Sequence, residues 1–153
     1  MTDSNTFQLT QLTKKDAVRF GELITLFKKV FEDSDKQNPS QFYLEDLLSK
    51  TDFFAIVVLH NDKVIGGVTG YELQKYYKAE SEFFIYDLAV DPSHQRLGIA
   101  TRLLEKIKEI CYLRQINSIF VDAHSEDHEA IRFYESLGHG QGEEVTQFTI
   151  KTI

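Results

Sequence analysis

The chain reads as a single α/β domain of 153 residues, built on a mixed β-sheet with helices on both faces. Three observations predict this. Residues 53–59 and 83–90 are dense apolar runs of strand length, with a third run, 64–73, between them. From Gly98 the apolar spacing changes to a helical period. Beyond it, strand-like and helix-like segments alternate to the end of the chain. A hairpin followed by βα units implies pairing that is antiparallel early and partly parallel late.

The elements follow in order. Alternation in Phe7-Gln8-Leu9-Thr10 predicts a half-exposed first strand. Thr13 caps a helix in which Ala17, Phe20, Ile24, Phe27 and Phe31 recur three and four apart. The polar stretch 32–39 breaks that pattern, and Ser40 opens a short helix carrying Phe42, Tyr43, Leu47 and Leu48. Asn61-Asp62-Lys63 turns strand 53–59 into strand 64–73, where Gly66, Gly67 and Gly70 signal a bulge or a close neighbour. Strand 83–90 contains one acid, Asp87. A polar turn, 91–97, leads to a helix with Ile99, Leu103, Ile107 and Ile110 on one stripe. Residues 116–123 read as a strand, 127–137 as a helix ended by Gly138, and 145–150 as a last strand. The predicted order is β-α-α-β-β-β-α-β-α-β.

Composition narrows the function. With 42% hydrophobic and 27% charged residues the chain is neither disordered nor fibrous. No apolar run has a membrane span's length, and MTDSNTF lacks a signal peptide's layout. A lone cysteine, Cys111, forms no internal disulfide and suits a reducing, cytoplasmic location. On the apolar stripe of its helix, it reads as an inert core thiol. The net charge of −7 disfavours nucleic acid and suits a cationic partner.

The chemistry concentrates where strand 83–90 gives way to Gln95-Arg96-Leu97-Gly98-Ile99-Ala100-Thr101. A strand, a polar turn and a helix opening on small residues present backbone N–H groups to an anion, as a pyrophosphate site requires. Walker and dinucleotide glycine motifs are absent. The same residues also suit an ordinary connection with a glycine at the helix start. His124 and His128, four apart, lack the intervening pattern of a zinc helix, and no metal site is expected. His60 and His94 read as turn residues.

Gln95-Arg96-Leu97-Gly98-Ile99-Ala100 resembles the Gln/Arg-x-x-Gly-x-Gly/Ala motif of the GNAT acetyltransferases. Asp127, Ala130, Tyr134 and Gly138 hold the positions of their later Asn-x-x-Ala-x-x-x-Tyr-x-x-x-Gly signature, with Asp127 in place of Asn and His139 in place of a following Phe. Within that family the chain is most similar to the small aminoglycoside 3-N-acetyltransferases. The likeness runs through Ser81–Val90, Tyr43-Leu44-x-x-Leu47-Leu48 and Glu143-Glu144-Val145. His124-Ser125 stands where an acid–tyrosine pair is usual.

The resemblance implies the GNAT fold, acetyl-CoA as acyl donor, and a resistance activity that acetylates the 3-amino group of an aminoglycoside. It implies a cofactor site at Leu88, Ala89, Val90, the Gln95-to-Thr101 turn, Asp127, Ala130 and Tyr134. Asp87 is expected to hold and deprotonate the amine, since apolar walls raise a carboxyl's pKa; the residues alone equally allow a structural acid at a strand bulge. Tyr134 is expected to give a proton to the departing thiolate, the residue-level alternative being core packing. Glu32, Asp33, Asp35, Tyr86, Asp122, His124, Glu126, Glu143 and Glu144 are expected to join Asp87 around a polycation, although each acidic segment alone also reads as a solvated face. Related readings are a polyamine or peptide-amine acetyltransferase and a non-catalytic acyl-CoA sensor. A homodimer fits the family.

Overall fold

Five strands form one sheet in the order β1-β2-β3-β4-β5, the first three pairs antiparallel and β4–β5 parallel. This is the predicted change of direction along the chain. The structure is a computed structural model that describes residues 6–33, 37–138 and 142–153. Strands β1 (Gln8–Gln11), β2 (Phe53–His60), β3 (Lys63–Gln74), β4 (Ser81–Val90) and β5 (Ser118–Val121) combine with helices α1 (Ala17–Val30), α2 (Gln41–Leu48) and α3 (Ile99–Arg114) in one compact unit ending at Val121. A second unit, from Asp122 onward, contains α4 (His128–Ser136).

Thr13 opens the helical segment through a reciprocal cap. Its hydroxyl accepts from the Lys15 N–H at 3.4 Å, and the Asp16 carboxylate accepts from the Thr13 N–H at 2.8 Å. The hairpin turn needs two left-handed residues, supplied by Asn61 (φ 49°) and Asp62 (φ 61°). Arg19 clamps it from α1, donating to the Asp62 carbonyl at 2.8 Å and carboxylate at 2.7 Å.

Adjacent glycines on β3 explain how helices cover both faces. A Cβ on Gly66 would approach Ile99 Cγ2 of α3 at 3.4 Å, whereas one on Gly67 would run into Leu23 of α1 and lie 2.7 Å from the Ile56 carbonyl. Successive strand residues point to opposite faces, so α1 and α3 lie on opposite sides of β3. Leu23, Phe20 and Phe27 pack with Phe53, Ala55 and Val57 on the α1 side.

The apolar faces differ in detail from the sequence reading. In α1 the buried stripe is Ala17, Phe20, Leu23, Leu26 and Phe27; Ile24 is half-buried and Phe31 exposed. In α2 Leu44 and Leu48 are buried, four apart, while Phe42 and Tyr43 face outward. Strand β5 is shorter than the predicted 116–123 because its ladder with β4 stops at Ile85–Val121.

In the second unit Asp127 caps α4, accepting from the Ala130 N–H at 3.0 Å, and Gly138 follows with φ 70°. The predicted strand at 145–150 is absent: residues 142–153 form no regular element, and Val145, Phe148 and Ile150 are exposed. Extended sequence preference becomes a strand only where a neighbouring ladder accepts it, and this segment has none among the described residues.

Candidate active site

A one-residue bulge shapes the middle of β4. Thr69 pairs with Asp87 and Gly70 with Ile85, leaving Tyr86 as the extra residue on β4. The bulge is tolerated beside Gly70, where a Cβ would lie 2.6 Å from the Phe84 carbonyl and strike the Phe83 ring. On its other edge β4 pairs with β5 only from Glu82 to Ile85. Past Ile85, no strand among the described residues covers that edge.

Backbone direction there follows from one hydrogen bond. The Asp91 N–H donates to the Ile65 carbonyl of β3 at 2.7 Å. Because peptide groups alternate sides along a strand, Ala89 and Asp87 also turn theirs toward β3, and Leu88 and Val90 turn theirs to the uncovered edge. The Val90 carbonyl accordingly accepts from Gln95 Nε2 at 3.2 Å. This edge offers donors and acceptors spaced for an extended amide-bearing chain.

The turn after β4 is held from within. The Asp91 carboxylate accepts from the Ser93 hydroxyl at 2.6 Å, the Ser93 N–H at 3.0 Å and Lys29 Nζ at 3.0 Å. The Ser93 hydrogen bonds and then Lys29 hold its carboxyl down at about 2. Arg96 (φ 62°) and Gly98 (φ 76°) then adopt left-handed conformations, and α3 starts without a side-chain cap. The Arg102 N–H makes the first turn's bond, to the Gly98 carbonyl at 3.1 Å, so the N–H groups of Ile99, Ala100 and Thr101 have no acceptor within the helix. No atom lies within 4 Å of where a Gly98 Cβ would be. Arg96, Leu97, Gly98 and Thr101 are exposed, Ala100 is half-buried and Ile99 is buried. An open, uncapped N-terminus with Arg96 beside it fits a pyrophosphate. Gln95 is turned back onto β4, so the turn's outward donors are its backbone and Arg96.

Asp87 and Tyr86 open onto a cavity of about 380 Å³ on the α1 side of the sheet. Its walls are largely aromatic, from Phe20, Phe27, Phe31, Phe53 and Tyr71, with Thr69 beside Asp87 and with Lys28 and Asp33 contributing charge. Tyr71 and Tyr86 meet edge to face at 6.1 Å. The Asp87 carboxylate has no hydrogen-bond or ion-pair partner among the described residues, and burial alone pushes its pKa up to about 6. A structural acid tied to backbone amides would show the opposite shift. Such a group, mostly ionised at neutrality but more basic than an ordinary carboxylate, can hold an ammonium and also accept its proton.

Of the other expected substrate contacts, Asp33 lines the cavity; Glu32, exposed at the end of α1 with φ 56°, does not. Asp35 lies outside the described residues. Asp122, His124, Glu126, Glu143 and Glu144 belong to the second unit, each exposed. There, Tyr134 is half-buried, and burial, with the Asp127 charge adding, pushes its hydroxyl up to about 12. Asp127 is engaged as the α4 cap, and Ala130 supplies the N–H it accepts. No group of three or more metal-ligating side chains occurs among the described residues. Cys111 is buried, its thiol pushed up to about 11 by burial and then by Glu72.

Sequence reasoning missed Thr69, Tyr71, Phe53 and Asp91. The signal for Thr69 was its place in the hairpin strand, but only the register, with its bulge, sets it opposite Asp87.

An uncovered strand edge leads into an uncapped helix beside a cavity that holds the half-buried carboxylate of Asp87. Residues 20–139 match the model of the acetyltransferase (GNAT) family. The chain belongs to that family, whose members use acetyl-CoA. It is similar to the solved aminoglycoside acetyltransferase meta-AAC0020, from an uncultured soil metagenomic sample, in complex with sisomicin. The two are 32% identical with TM-score 0.92, over 97% of this chain and 98% of that one. A second, HMB0005, also from an uncultured soil metagenomic sample, is 36% identical with TM-score 0.92, over 97% and 99%. At 15% identity and TM-score 0.82, AAC(6')-Iy in complex with CoA shares the fold, over 100% of this chain and 99% of that one. No curated protein sequence matches the chain. No helix among the described residues is long and apolar enough to cross a membrane.

Proposed function

We propose that this acetyltransferase carries an acetyl group from acetyl-CoA to the 3-amino group of an aminoglycoside. One observation carries the reading: Asp87 faces an open cavity without a partner, on the same stretch of β4 that leaves its other edge uncovered. The similarity to meta-AAC0020 and HMB0005 supports the substrate class. A polyamine is the second reading, since the same carboxylate serves any alkylammonium. The aromatic walls favour a ring with an apolar face over a bare polymethylene chain.

Bound acetyl-CoA supplies the activated thioester carbonyl. Arg96 and the N–H groups at the start of α3 suit its pyrophosphate, and the outward peptide groups of Leu88 and Val90 suit its amide arm. The Leu88 N–H is the donor nearest Asp87 along the uncovered edge and would stabilise oxyanion character. Asp87 anchors the ammonium, takes its proton and leaves the nitrogen lone pair free for attack. No activated serine or cysteine is called for, so the transfer is direct.

By resemblance to the family, Tyr134 is the group that gives a proton to the departing thiolate. Its hydroxyl donates to the sulfur as charge develops there. Tyr134→Phe should lower kcat about 10- to 100-fold, the value of a charge-assisted hydrogen bond, with little change in the KM for acetyl-CoA. Steady-state kinetics with each substrate varied will check this, and a loss confined to KM would remove the role.

The test of function is CoA release with sisomicin, kanamycin, spermidine and a peptide amine, followed by NMR of the product to locate the acetyl group. Turnover of spermidine alone would replace the aminoglycoside reading. Acetylation at a nitrogen other than N3 would revise the regiochemistry.

A further inference from the structure

We infer that Thr69 is a substrate-binding residue whose hydroxyl contacts the acceptor amine alongside Asp87. The inference rests on the proposed role of Asp87 as amine anchor. Thr69 is 7% exposed and is the one buried polar side chain among the described residues. It lies directly across the ladder from Asp87, and both side chains open onto the same cavity. Cross-strand partners hold their Cβ atoms roughly 4.5–5.5 Å apart. That leaves room for one nitrogen to reach both.

Its hydroxyl makes no hydrogen bond among the described residues and is not fully enclosed, so its oxygen, which can accept twice and donate once, meets the open cavity. A hydroxyl facing a largely aromatic cavity adds nothing to packing that a valine of nearly the same shape would not supply. The position makes chemical sense if a ligand supplies the missing partner. An alkylammonium has three N–H groups: Asp87 takes one proton, and Thr69 Oγ accepts from a second N–H. With both contacts made, the nitrogen is fixed by two points on paired strands, and its lone pair takes one direction. The other titratable groups lining this cavity are Lys28 and Asp33 on the α1 side, Tyr71 on β3 and Tyr86 on β4. None of them is a cross-strand partner of Asp87.

Packing and hydrogen bonding predict opposite rank orders for two variants. Thr69→Val keeps the shape and loses the hydroxyl, whereas Thr69→Ser keeps the hydroxyl and leaves a methyl-sized gap. Both are to be compared with the unsubstituted protein and with Asp87→Asn, using acetyl-CoA and the best-turned-over amine of the panel above. Thermal melts report folding. The expected result is a fall of about tenfold in kcat/KM for the amine in Thr69→Val, with most activity kept in Thr69→Ser and the KM for acetyl-CoA unmoved in both. Thr69→Val matching or exceeding Thr69→Ser, or equal losses in the two, would overturn the inference. Full activity in Asp87→Asn would instead sink the anchor assignment. The serine–valine order would still decide whether Thr69 touches the amine.

Discussion

Asp87→Asn should lower kcat/KM for the amine about a hundred- to ten-thousandfold, the usual contribution of a positioned general base. Asparagine preserves the side chain's shape in the cavity and removes both the negative charge and the proton acceptor. The pH profile gives the sharper signature. Burial holds the Asp87 carboxyl at about 6, so activity should fall as pH drops through that value and Asp87 becomes protonated. In Asp87→Asn the residual activity should lose that acid limb. Stability should move the other way. A carboxyl whose folded pKa lies above its unfolded value binds more protons when folded, so stability falls as pH rises from about 4 to about 6 and stays lower above it. Asp87→Asn should therefore melt higher than the parent at pH 7. A variant both less active and less stable would place Asp87 among structural acids.

The second large effect is on folding. Gly70→Ala should destabilise the protein by about 3 kcal/mol, lowering Tm by roughly 6–12 °C in differential scanning calorimetry. The added methyl would meet the Phe84 carbonyl, which is fixed in the β4 ladder, and the fully buried ring of Phe83. Neither can move without opening the bulge that precedes Asp87. Gly98→Ala is the informative control: its methyl meets nothing within 4 Å, and only the left-handed backbone resists it. Its cost should be about 1–2 kcal/mol. Equal melting temperatures for the parent and Gly70→Ala would mean that the two strands separate more easily than this packing allows.

Much of the architecture was legible in residue order. The run 53–59 and the turn at Asn61-Asp62 contain their own geometry, and the helical stripe after Gly98 buries Ile99, Leu103, Ile107 and Ile110 as its spacing requires. Asp87 stood out as the one acid in an apolar strand, and it does face a cavity. The rotation of α1 was not legible. Positions 20, 23, 24, 26 and 27 are all apolar, so two overlapping stripes satisfy a helical period. The choice between them is made by Gly67, whose missing side chain admits Leu23. Thr69 was hidden for a similar reason, because a bulge shifts alternation by one residue and leaves no mark in composition. The acids at 122–129 and 143–144 formed a suggestive cluster in sequence. Their exposure in the second unit is what solvated charge shows anywhere.

Strand β4 carries its carboxylate on one face and its uncovered peptide groups, those of Leu88 and Val90, along one edge, within four consecutive residues, 87–90. Covalent bonds therefore fix the spacing between the two halves of the proposed chemistry, whatever the surrounding loops do. Rim residues such as Phe31 and Asp33 can change size or charge and admit a differently shaped guest without altering that spacing.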